Sequence, residues 1–247
     1  MLRLRSTYTL PVQQTIRIRS TRHGWCAVDN SLHDQETLVK IGIIGAGNVG
    51  SVLGRRFLEA GHEVTISASS PASPRLAEAA SWGANVATAA EAATWAEVVL
   101  LAVPFTELGA TLTVDVTIAL AGKIVIDAVN PLAADFMSLL LGHTTSAGEQ
   151  VAARLGRSCV VKAFNTILAS NFASPELGGN RLLLPVAGDD PVAKKTVLEL
   201  GKQLGFDAVD AGALTNARYL EPMAELLIQL AYGQGMGTNN GWTLTRA

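Results

Sequence analysis

The chain has 247 residues, of which 49% are hydrophobic and 16% are charged, and its formal net charge is -2. This composition excludes a disordered chain, and the lack of a basic excess argues against binding to nucleic acid. No uninterrupted apolar run reaches the roughly 18–20 residues of a membrane span, so we expect no membrane association. Two cysteines, Cys26 and Cys159, are too few for a disulfide framework, which favours a cytoplasmic protein.

Residues 1–38 differ in composition from the rest of the chain. They contain five arginines, and their first acidic residue is Asp29. Three interpretations are open: an organelle transit peptide, an ordered extra element, or translated upstream sequence ahead of a native start at Val39. We expect a disordered or non-native leader without a role in the fold, because the first apolar strand pattern begins at Val39.

From residue 39 onward, strand and helix patterns alternate. The predicted strands cover residues 40–44, 63–67, 85–87, 97–103, 123–129, 159–164, 182–188 and 206–210. The predicted helices cover residues 48–60, 76–82, 105–120, 147–155, 191–204 and 216–232. Strands separated by helices are typical of an α/β protein with a doubly wound, mostly parallel sheet of the Rossmann type.

The strongest chemical signal is a glycine-rich turn between the first strand and the first helix. Its sequence is Gly45-Ala46-Gly47-Asn48-Val49-Gly50, the G-x-G-x-x-G pattern in the strand-to-helix context that gives it meaning. We expect Gly45 to make the tight turn, Gly47 to admit a pyrophosphate and Gly50 to allow close packing. The amides and dipole of the helix would then bind the phosphates of a dinucleotide.

The end of the second strand favours NADP over NAD. NAD sites usually carry an acidic residue there, whereas this chain has Ser67, Ala68, Ser69 and Ser70. Hydroxyl groups and a nearby cation can bind the 2′-phosphate that a carboxylate would repel. Arg75 is the nearest cation downstream, and Arg55 or Arg56 could approach from the first helix. The alternative is that the serines only cap the next helix.

Further site residues are expected where the later strands end, because a doubly wound sheet binds ligands at its carboxyl edge. There, Asn130 and Asn165 could hydrogen-bond a ribose, a carboxamide or a flat redox acceptor. His143 could face the same cleft, although a solvated loop histidine is the alternative. Asn165 and His143 are the two catalytic candidates. The predicted lining residues are Val103, Pro104, Asn130, Pro131 and Asn165.

Two absences narrow the chemistry. The four histidines have no metal-ligand spacing, so no metal is expected. No Tyr-x-x-x-Lys pair is available to protonate a carbonyl. Hydride exchange between two redox carriers needs chiefly the apposition of their rings, and the sequence favours it over alcohol oxidation.

Several strings resemble a known family. KIGIIGAGNVGSVLGRRFLEAGHEVTIS, VIDAVNPL, SAGEQVAARLG, VVKAFNT and LGFDAVDAGALTNARYLEP are similar to segments of the NADPH-dependent deazaflavin (coenzyme F420) reductases. These are Rossmann-type NADP oxidoreductases that also resemble the cytoplasmic domain of membrane metalloreductases. The resemblance covers roughly residues 39–247. One departure is the serine stretch after the second strand, where the family often has arginine.

The resemblance implies an NADP-binding Rossmann domain over residues 39–180 and a small C-terminal α/β portion over residues 181–247 that completes the acceptor cleft. It implies NADPH as hydride donor and a deazaflavin or flavin as the small-molecule redox acceptor. Two alternatives stay open: an NADP-dependent reductase of a small imine or carbonyl substrate, which would need an acid such as His143, and a non-catalytic NADP-binding subunit.

The predicted last helix carries an apolar stripe at the spacing i, i+3, i+4, i+7. Core packing explains such a stripe, and a homodimer interface is the alternative. The stripe consists of Met223, Leu226, Leu227 and Leu230.

Overall fold

The structure is a computed structural model that describes residues 38–246. The predictions for residues 1–37 therefore lie outside the described part of the chain. Ten strands occur along the described residues. They are β1 (Lys40–Ile44), β2 (Glu63–Ser67), β3 (Asn85–Val86), β4 (Val98–Leu101), β5 (Ile124–Asp127), β6 (Cys159–Lys162), β7 (Glu176–Leu177), β8 (Asn180–Arg181), β9 (Leu183–Gly188) and β10 (Asp207–Asp210).

Eight α-helices occur in the same range. They are α1 (Asn48–Glu59), α2 (Pro74–Ser81), α3 (Ala89–Trp95), α4 (Leu108–Thr111), α5 (Val114–Leu120), α6 (Ala147–Arg154), α7 (Pro191–Gln203) and α8 (Ala217–Ile228). Short 3₁₀ turns lie at Phe105–Glu107, Ala169–Asn171 and Leu214–Asn216, and a π-helical turn follows α8 at Gln229–Gly233.

Eight of the strands form one sheet in the order β10-β9-β6-β5-β4-β1-β2-β3. Strands β1 to β6 are parallel, whereas β9 pairs antiparallel with β6 and parallel with β10. The order β3-β2-β1-β4-β5-β6 is that of a Rossmann dinucleotide-binding sheet. The predicted doubly wound, mostly parallel fold is therefore confirmed, and β9 and β10 of the C-terminal portion extend the same sheet.

Each face of the sheet packs against its own hydrophobic core. In β4, Val98 and Leu100 belong to the cluster that contains Phe57 of α1, whereas Val99 and Leu101 belong to the cluster on the opposite face. Successive side chains of a strand point to opposite faces, and helices cover both. The nearly continuous apolar runs of these strands follow from that double burial.

The chain bends at Phe164, two residues after β6 and directly before Asn165. Phe164 has a φ of +65°, a left-handed conformation that is rare for a bulky residue. Its ring is buried and makes edge-to-face contacts with Phe57, Phe172 and Phe206, at centroid distances of 6.0–6.3 Å. These ring contacts stabilise the bend, because the backbone of Phe164 could not return to an ordinary conformation without moving its side chain out of the core.

One secondary-structure prediction was wrong, and three elements, α3, β7 and β8, were not predicted. Residues 105–120 are not one helix, because Leu112 leaves the helical conformation and Thr113 begins α5, its hydroxyl accepting from the backbone N–H of Val116. Helix α3 was missed, although Thr88 and Glu91 form a reciprocal capping box at its start. The other predicted elements occur with ends shifted by a few residues.

Candidate functional site

The glycine turn after β1 closes tightly against β2 and β4. Gly45 has a φ of +113°, and its backbone N–H donates to the carbonyl oxygen of Ser67 at 3.0 Å. A Cβ on Gly45 would lie 2.3 Å from the carbonyl oxygen of Ala102. Both the conformation and the close approach require glycine at this position.

The other two glycines of the pattern differ in what surrounds them. A Cβ on Gly50 would lie 1.9 Å from the carbonyl oxygen of Gly45, so α1 packs directly on the turn. A Cβ on Gly47 would meet nothing within 4 Å. Gly47 therefore faces open space, where a ligand can approach the backbone, and the three glycines occupy the places that a dinucleotide fingerprint requires.

The first turn of α1 lies beside this open space. Gly47 is the N-cap residue, no described side chain caps it, and the first turn contains no acidic residue. The N–H groups at a helix N-terminus carry partial positive charge and bind anions such as phosphate. Of the predicted residues here, Asn48 is exposed, Val49 is half-buried and Ala46 is buried.

The predicted NADP residues at the end of β2 do not all reach this space. Ser67 is buried, and its hydroxyl donates to the carbonyl oxygen of Ile43 at 3.1 Å, so this side chain points into the sheet. Ser69 and Ser70 are exposed. The Ser70 hydroxyl accepts from the N–H of Ala72 at 3.3 Å, which is a local turn contact. The N-cap residue of α2 is Ser73, whose side chain makes no capping bond, so the alternative that these serines cap the next helix is wrong.

Arg75 of α2 reaches back to the glycine turn. Its Nη1 donates to the carbonyl oxygen of Ala46 and to Oδ1 of Asn48, both at 3.2 Å. The two alternative cations, Arg55 and Arg56, pair with Glu59 at the opposite end of α1. Of these three arginines, Arg75 is the one that lies beside the turn.

The two asparagines predicted at separate strand ends contact each other. Nδ2 of Asn130 donates to the carbonyl oxygen of Asn165 at 2.9 Å, and Nδ2 of Asn165 donates to Oδ1 of Asn130 at 3.0 Å. Nδ2 of Asn165 also donates to the carbonyl oxygen of Leu220 in α8 at 3.1 Å. Oδ1 of Asn165 is buried and has no partner among the described residues, so one acceptor of the pair is unsatisfied.

The remaining predicted lining residues follow neighbouring strands. Val103 is half-buried, and its Cγ1 would lie 3.0 Å from a Cβ on Gly45. Pro104 is exposed, whereas Pro131 is buried. Because β1, β4, β5 and β6 are adjacent and parallel, these residues share the carboxyl edge of the sheet with the glycine turn and the asparagine pair.

A buried ion network beneath this edge was not predicted. Lys162 is fully buried, and its Nζ lies 2.8 Å from Oδ2 of Asp127 and 2.7 Å from Oε1 of Glu221. It also donates to the carbonyl oxygen of Val129 at 2.5 Å. Burial lowers the pKa of Lys162, but the two carboxylates outweigh it and hold that pKa above its ordinary value.

Glu221 extends the network to α6. Its two carboxylate oxygens accept from the backbone N–H groups of Ala147 at 2.9 Å and Gly148 at 3.0 Å. A Cβ on Gly148 would lie 3.2 Å from Cε of Lys162, so glycine allows the helix to approach the lysine. The excess negative charge of two carboxylates and one ammonium group therefore lies at a helix N-terminus, which stabilises it.

His143 lies elsewhere. It is exposed, has a φ of +58°, and lines an open cavity of about 1050 Å³ between the loop that follows β5 and the outer face of α8. The cavity is lined by Leu139–His143, Thr215, Asn216, Arg218, Tyr219 and Pro222. This lining includes neither the glycine turn nor the asparagine pair.

The apolar stripe of the last helix is divided between core and surface. Leu227 is 3% exposed, Leu226 is 52% exposed, and Met223 and Leu230 are half-buried. Core packing accounts for Leu227, and the homodimer stays a prediction. Within residues 38–246, no helix is long and apolar enough to cross a membrane, and no three metal-binding side chains cluster.

Comparison with known proteins places this geometry in a family. A sequence model of the family described as NADP oxidoreductase, coenzyme F420-dependent, matches residues 40–131. The F420-dependent NADP reductase of Methanothermobacter marburgensis is 36% identical over 217 residues, which cover 78% of this chain and 92% of that reductase. A solved structure from Arthrobacter sp. FB24, described as a candidate F420-dependent NADP reductase, is 32% identical with a TM-score of 0.76, covering 84% of this chain and 100% of that one.

The metalloreductase STEAP3 of Rattus norvegicus is 35% identical over 182 residues. The match covers 74% of this chain but 36% of the metalloreductase, so this chain spans little more than a third of that longer relative. The resemblance noted from the sequence is confirmed by the family match and by the reductase relatives. The chain belongs to the coenzyme F420-dependent NADP oxidoreductase family, and it is an NADP-dependent oxidoreductase.

Proposed function

We propose that this protein binds NADP(H) across the carboxyl edge of its sheet and transfers hydride between NADP(H) and a deazaflavin or flavin acceptor. The pyrophosphate would lie over Gly47 and the uncapped start of α1. This turn has an open face at Gly47 and closed contacts at Gly45 and Gly50. The relatives named F420-dependent NADP reductases support the choice of acceptor.

The preference for NADP(H) over NAD(H) rests on charge. A 2′-phosphate at the end of β2 would lie among Ser69, Ser70 and the guanidinium of Arg75, with no carboxylate in this stretch. Only Nη1 of Arg75 bonds to Ala46 and Asn48. The guanidinium is exposed, so its other N–H groups can donate to a phosphate. We assign this contact to Arg75, Ser69 and Ser70.

One observation favours hydride exchange between two carriers: the ionisable groups beneath the ends of β5 and β6 are buried and already paired. The Asn130–Asn165 pair bonds to itself and to α8, and Asp127, Lys162 and Glu221 are buried and mutually paired. None of these three ionisable groups faces solvent. A reaction that needs only two stacked rings in contact suits such an edge, because it requires no side-chain proton donor.

When bound, NADPH supplies the hydride, and the protein's residues bind and orient the two rings. Oδ1 of Asn165 is the unsatisfied acceptor of the asparagine pair, so we assign it an N–H group of the nicotinamide carboxamide or of the acceptor ring. Val103 and Pro104 would pack against the rings. His143 has no part in this scheme.

The test is NADPH oxidation by the purified protein against a panel of acceptors. The panel contains a deazaflavin, FMN, FAD, a ferric chelate, and small imines and carbonyls. We expect turnover with the deazaflavin or a flavin, and NADPH preferred over NADH. Turnover restricted to the imines or carbonyls would replace this proposal with the small-substrate reductase, and NADPH binding without turnover would favour a non-catalytic subunit.

A further inference from the structure

Lys162 joins three segments of the chain beneath the carboxyl edge of the sheet. Its Nζ contacts the Asp127 carboxylate at the end of β5, the Val129 carbonyl in the following loop, and the Glu221 carboxylate in α8. The lysine, Asp127 and Glu221 are each at most 1% exposed. Lys162 therefore reaches neither solvent nor a bound ligand directly, and any effect on the reaction must pass through its partners.

Stability alone does not account for this network. Removing charged groups from water costs free energy that their attraction often fails to recover, and well-packed apolar residues usually serve a core as well. A buried lysine with three oxygen partners instead fixes their relative positions, because each of its donors must find an acceptor. Asp127 already pairs with Lys162 in the register of β5 and β6, but Glu221 belongs to α8, which the sheet alone does not hold in place.

The network lies next to the asparagine pair on both sides. Val129, whose carbonyl accepts from Lys162, directly precedes Asn130. Leu220, whose carbonyl accepts from Asn165, directly precedes Glu221. The end of β6 thus holds two adjacent residues of α8 through Lys162 and Asn165, while Lys162 also holds the residue before Asn130.

We propose that Lys162 is a positioning residue for hydride transfer: it sets the Asn130–Asn165 pair and α8 against the edge where the two rings meet. The inference rests on the proposed function. Loss of Lys162 would let the Val129 carbonyl and α8 shift while the glycine turn, at the other end of the cofactor site, stays intact. NADPH would still bind, but with a misplaced nicotinamide.

The experiment compares two variants with a matched control. The first variant, Lys162→Met, removes the ammonium group and leaves two unpaired carboxylates. The second combines Lys162→Met with Asp127→Asn, so that Glu221 is the one charge left and the network keeps the net single negative charge of the parent. Lys194→Met is the control. Nζ of Lys194 also contacts a carboxylate and a carbonyl, those of Asp210 at 2.8 Å and Gly212 at 3.0 Å, but it connects α7 to the end of β10. Each protein is measured for NADPH affinity, kcat, KM and the fluorescence emission of bound NADPH.

We expect both Lys162 variants to bind NADPH within about threefold of the parent, with kcat lower by about tenfold to a hundredfold, as for a misplacement of about 1 Å. The emission of bound NADPH should change in both, whereas Lys194→Met should match the parent in kcat and emission. Parent-like kcat and emission in the folded double variant would show that Lys162 is only structural. Glu221→Gln, which retains the lysine with Asp127 and Val129, decides by the same two readouts if neither Lys162 variant folds.

The experiment distinguishes a failure of the positioning role of Lys162 from a failure of the proposed function. If the parent oxidises NADPH with no acceptor of the panel, the proposed acceptor is wrong. The emission of bound NADPH still tests Lys162 in that case, since it requires only cofactor binding. An unchanged emission in a folded variant would then overturn the positioning role.

Discussion

Asn130 and Asn165 form a reciprocal pair, each donating from its side-chain amide to the other residue at 2.9–3.0 Å. Each lies three residues after the end of one of two adjacent strands, so the pair connects the loops that follow β5 and β6 at the carboxyl edge. The third contact of the pair, from Asn165 to the Leu220 carbonyl, brings α8 to the same point. Hydrogen bonds between neutral amides therefore connect the loops and the helix at the edge that we assign to the nicotinamide and the acceptor.

Replacing Asn165 by leucine should lower turnover while sparing NADPH affinity if Oδ1 of Asn165 orients the acceptor ring, whereas weaker NADPH binding would assign this oxygen to the nicotinamide carboxamide. The change removes both donated bonds and the unsatisfied Oδ1, and it leaves Oδ1 of Asn130 without its donor. We expect kcat to fall by about tenfold or more and the free energy of unfolding to fall by about 1–3 kcal/mol. Steady-state kinetics and denaturant unfolding measure the two effects.

Asn171→Leu is the matched control for that change. Asn171 is also buried, and its amide donates to the carbonyls of Thr238 and Asn240 in the C-terminal segment. It should lose similar stability but keep kcat. Equal losses of kcat in the two variants would show that Asn165 acts only through stability.

The glycine turn predicts opposite outcomes for two of its glycines. Gly47→Val should abolish cofactor binding with little loss of stability, because its side chain would enter open space where the pyrophosphate is expected. Gly50→Ala should destabilise the fold, because its Cβ would lie 1.9 Å from the Gly45 carbonyl oxygen. Thermal unfolding with and without NADPH separates them. Retention of tight NADPH binding by Gly47→Val would place the cofactor elsewhere.

A feature of the site could be predicted from the sequence when the residues that form it are close together along the chain. The glycine turn lies within six consecutive residues, and strand, turn and helix patterns surround it, so its geometry could be predicted from Gly45 to Gly50. The asparagines could be predicted as residues after strands. Their mutual contact could not, because it depends on β5 and β6 being neighbours in the sheet.

The ion network could not be predicted for a related reason. Lys162 stands in an apolar strand, and its partners Asp127 and Glu221 are distant along the chain. Glu221 is brought to it only because α8 crosses the end of β6. Buried ionic groups need partners, so the lysine inside a buried strand was the one local signal that such a network exists. The error over residues 105–120 is different, because the Thr113 cap was present locally and was outweighed by apolar periodicity.

Cofactor choice should depend on the charge beside the end of β2. Arg75→Met should weaken NADPH by about tenfold or more through loss of a charge-assisted contact, and NADH should be little affected. Ser69→Asp should weaken NADPH by charge repulsion. Dissociation constants for both cofactors, with Arg55→Met as the surface-arginine control, measure the effect. Equal affinity of the parent for NADPH and NADH would contradict the assignment.

Acid should loosen the contact between α6 and α8. Arg218 donates to both carboxylate oxygens of Glu149 at 2.6 and 2.8 Å, and this bond, with a smaller contribution from Ser146, lowers the pKa of Glu149 below its ordinary 4.5. A lowered pKa in the folded state contributes stability above the ordinary value, and this stability is lost as the pH falls through the lowered value. Unfolding free energies measured below pH 5 should therefore drop less steeply in Glu149→Gln than in the parent. Parallel curves for the two proteins would show that the pair contributes nothing.

The role of His143 distinguishes hydride exchange from general acid catalysis. Its side chain is exposed on the loop that follows β5 and lines the cavity on the outer face of α8, whose lining excludes Asn130 and Asn165. If two stacked rings exchange hydride directly, no titrating side chain is needed, and His143→Ala should change kcat by less than about tenfold, which is under ~1.4 kcal/mol. A general acid would typically contribute about a hundredfold or more, and the parent would then show a bell-shaped dependence of turnover on pH.

The pH profile of kcat in the parent and in His143→Ala, measured with the same acceptor, makes the comparison. A loss of about a hundredfold together with a bell-shaped parent profile would favour reduction of a small imine or carbonyl substrate, since that reaction requires the proton that a histidine can supply.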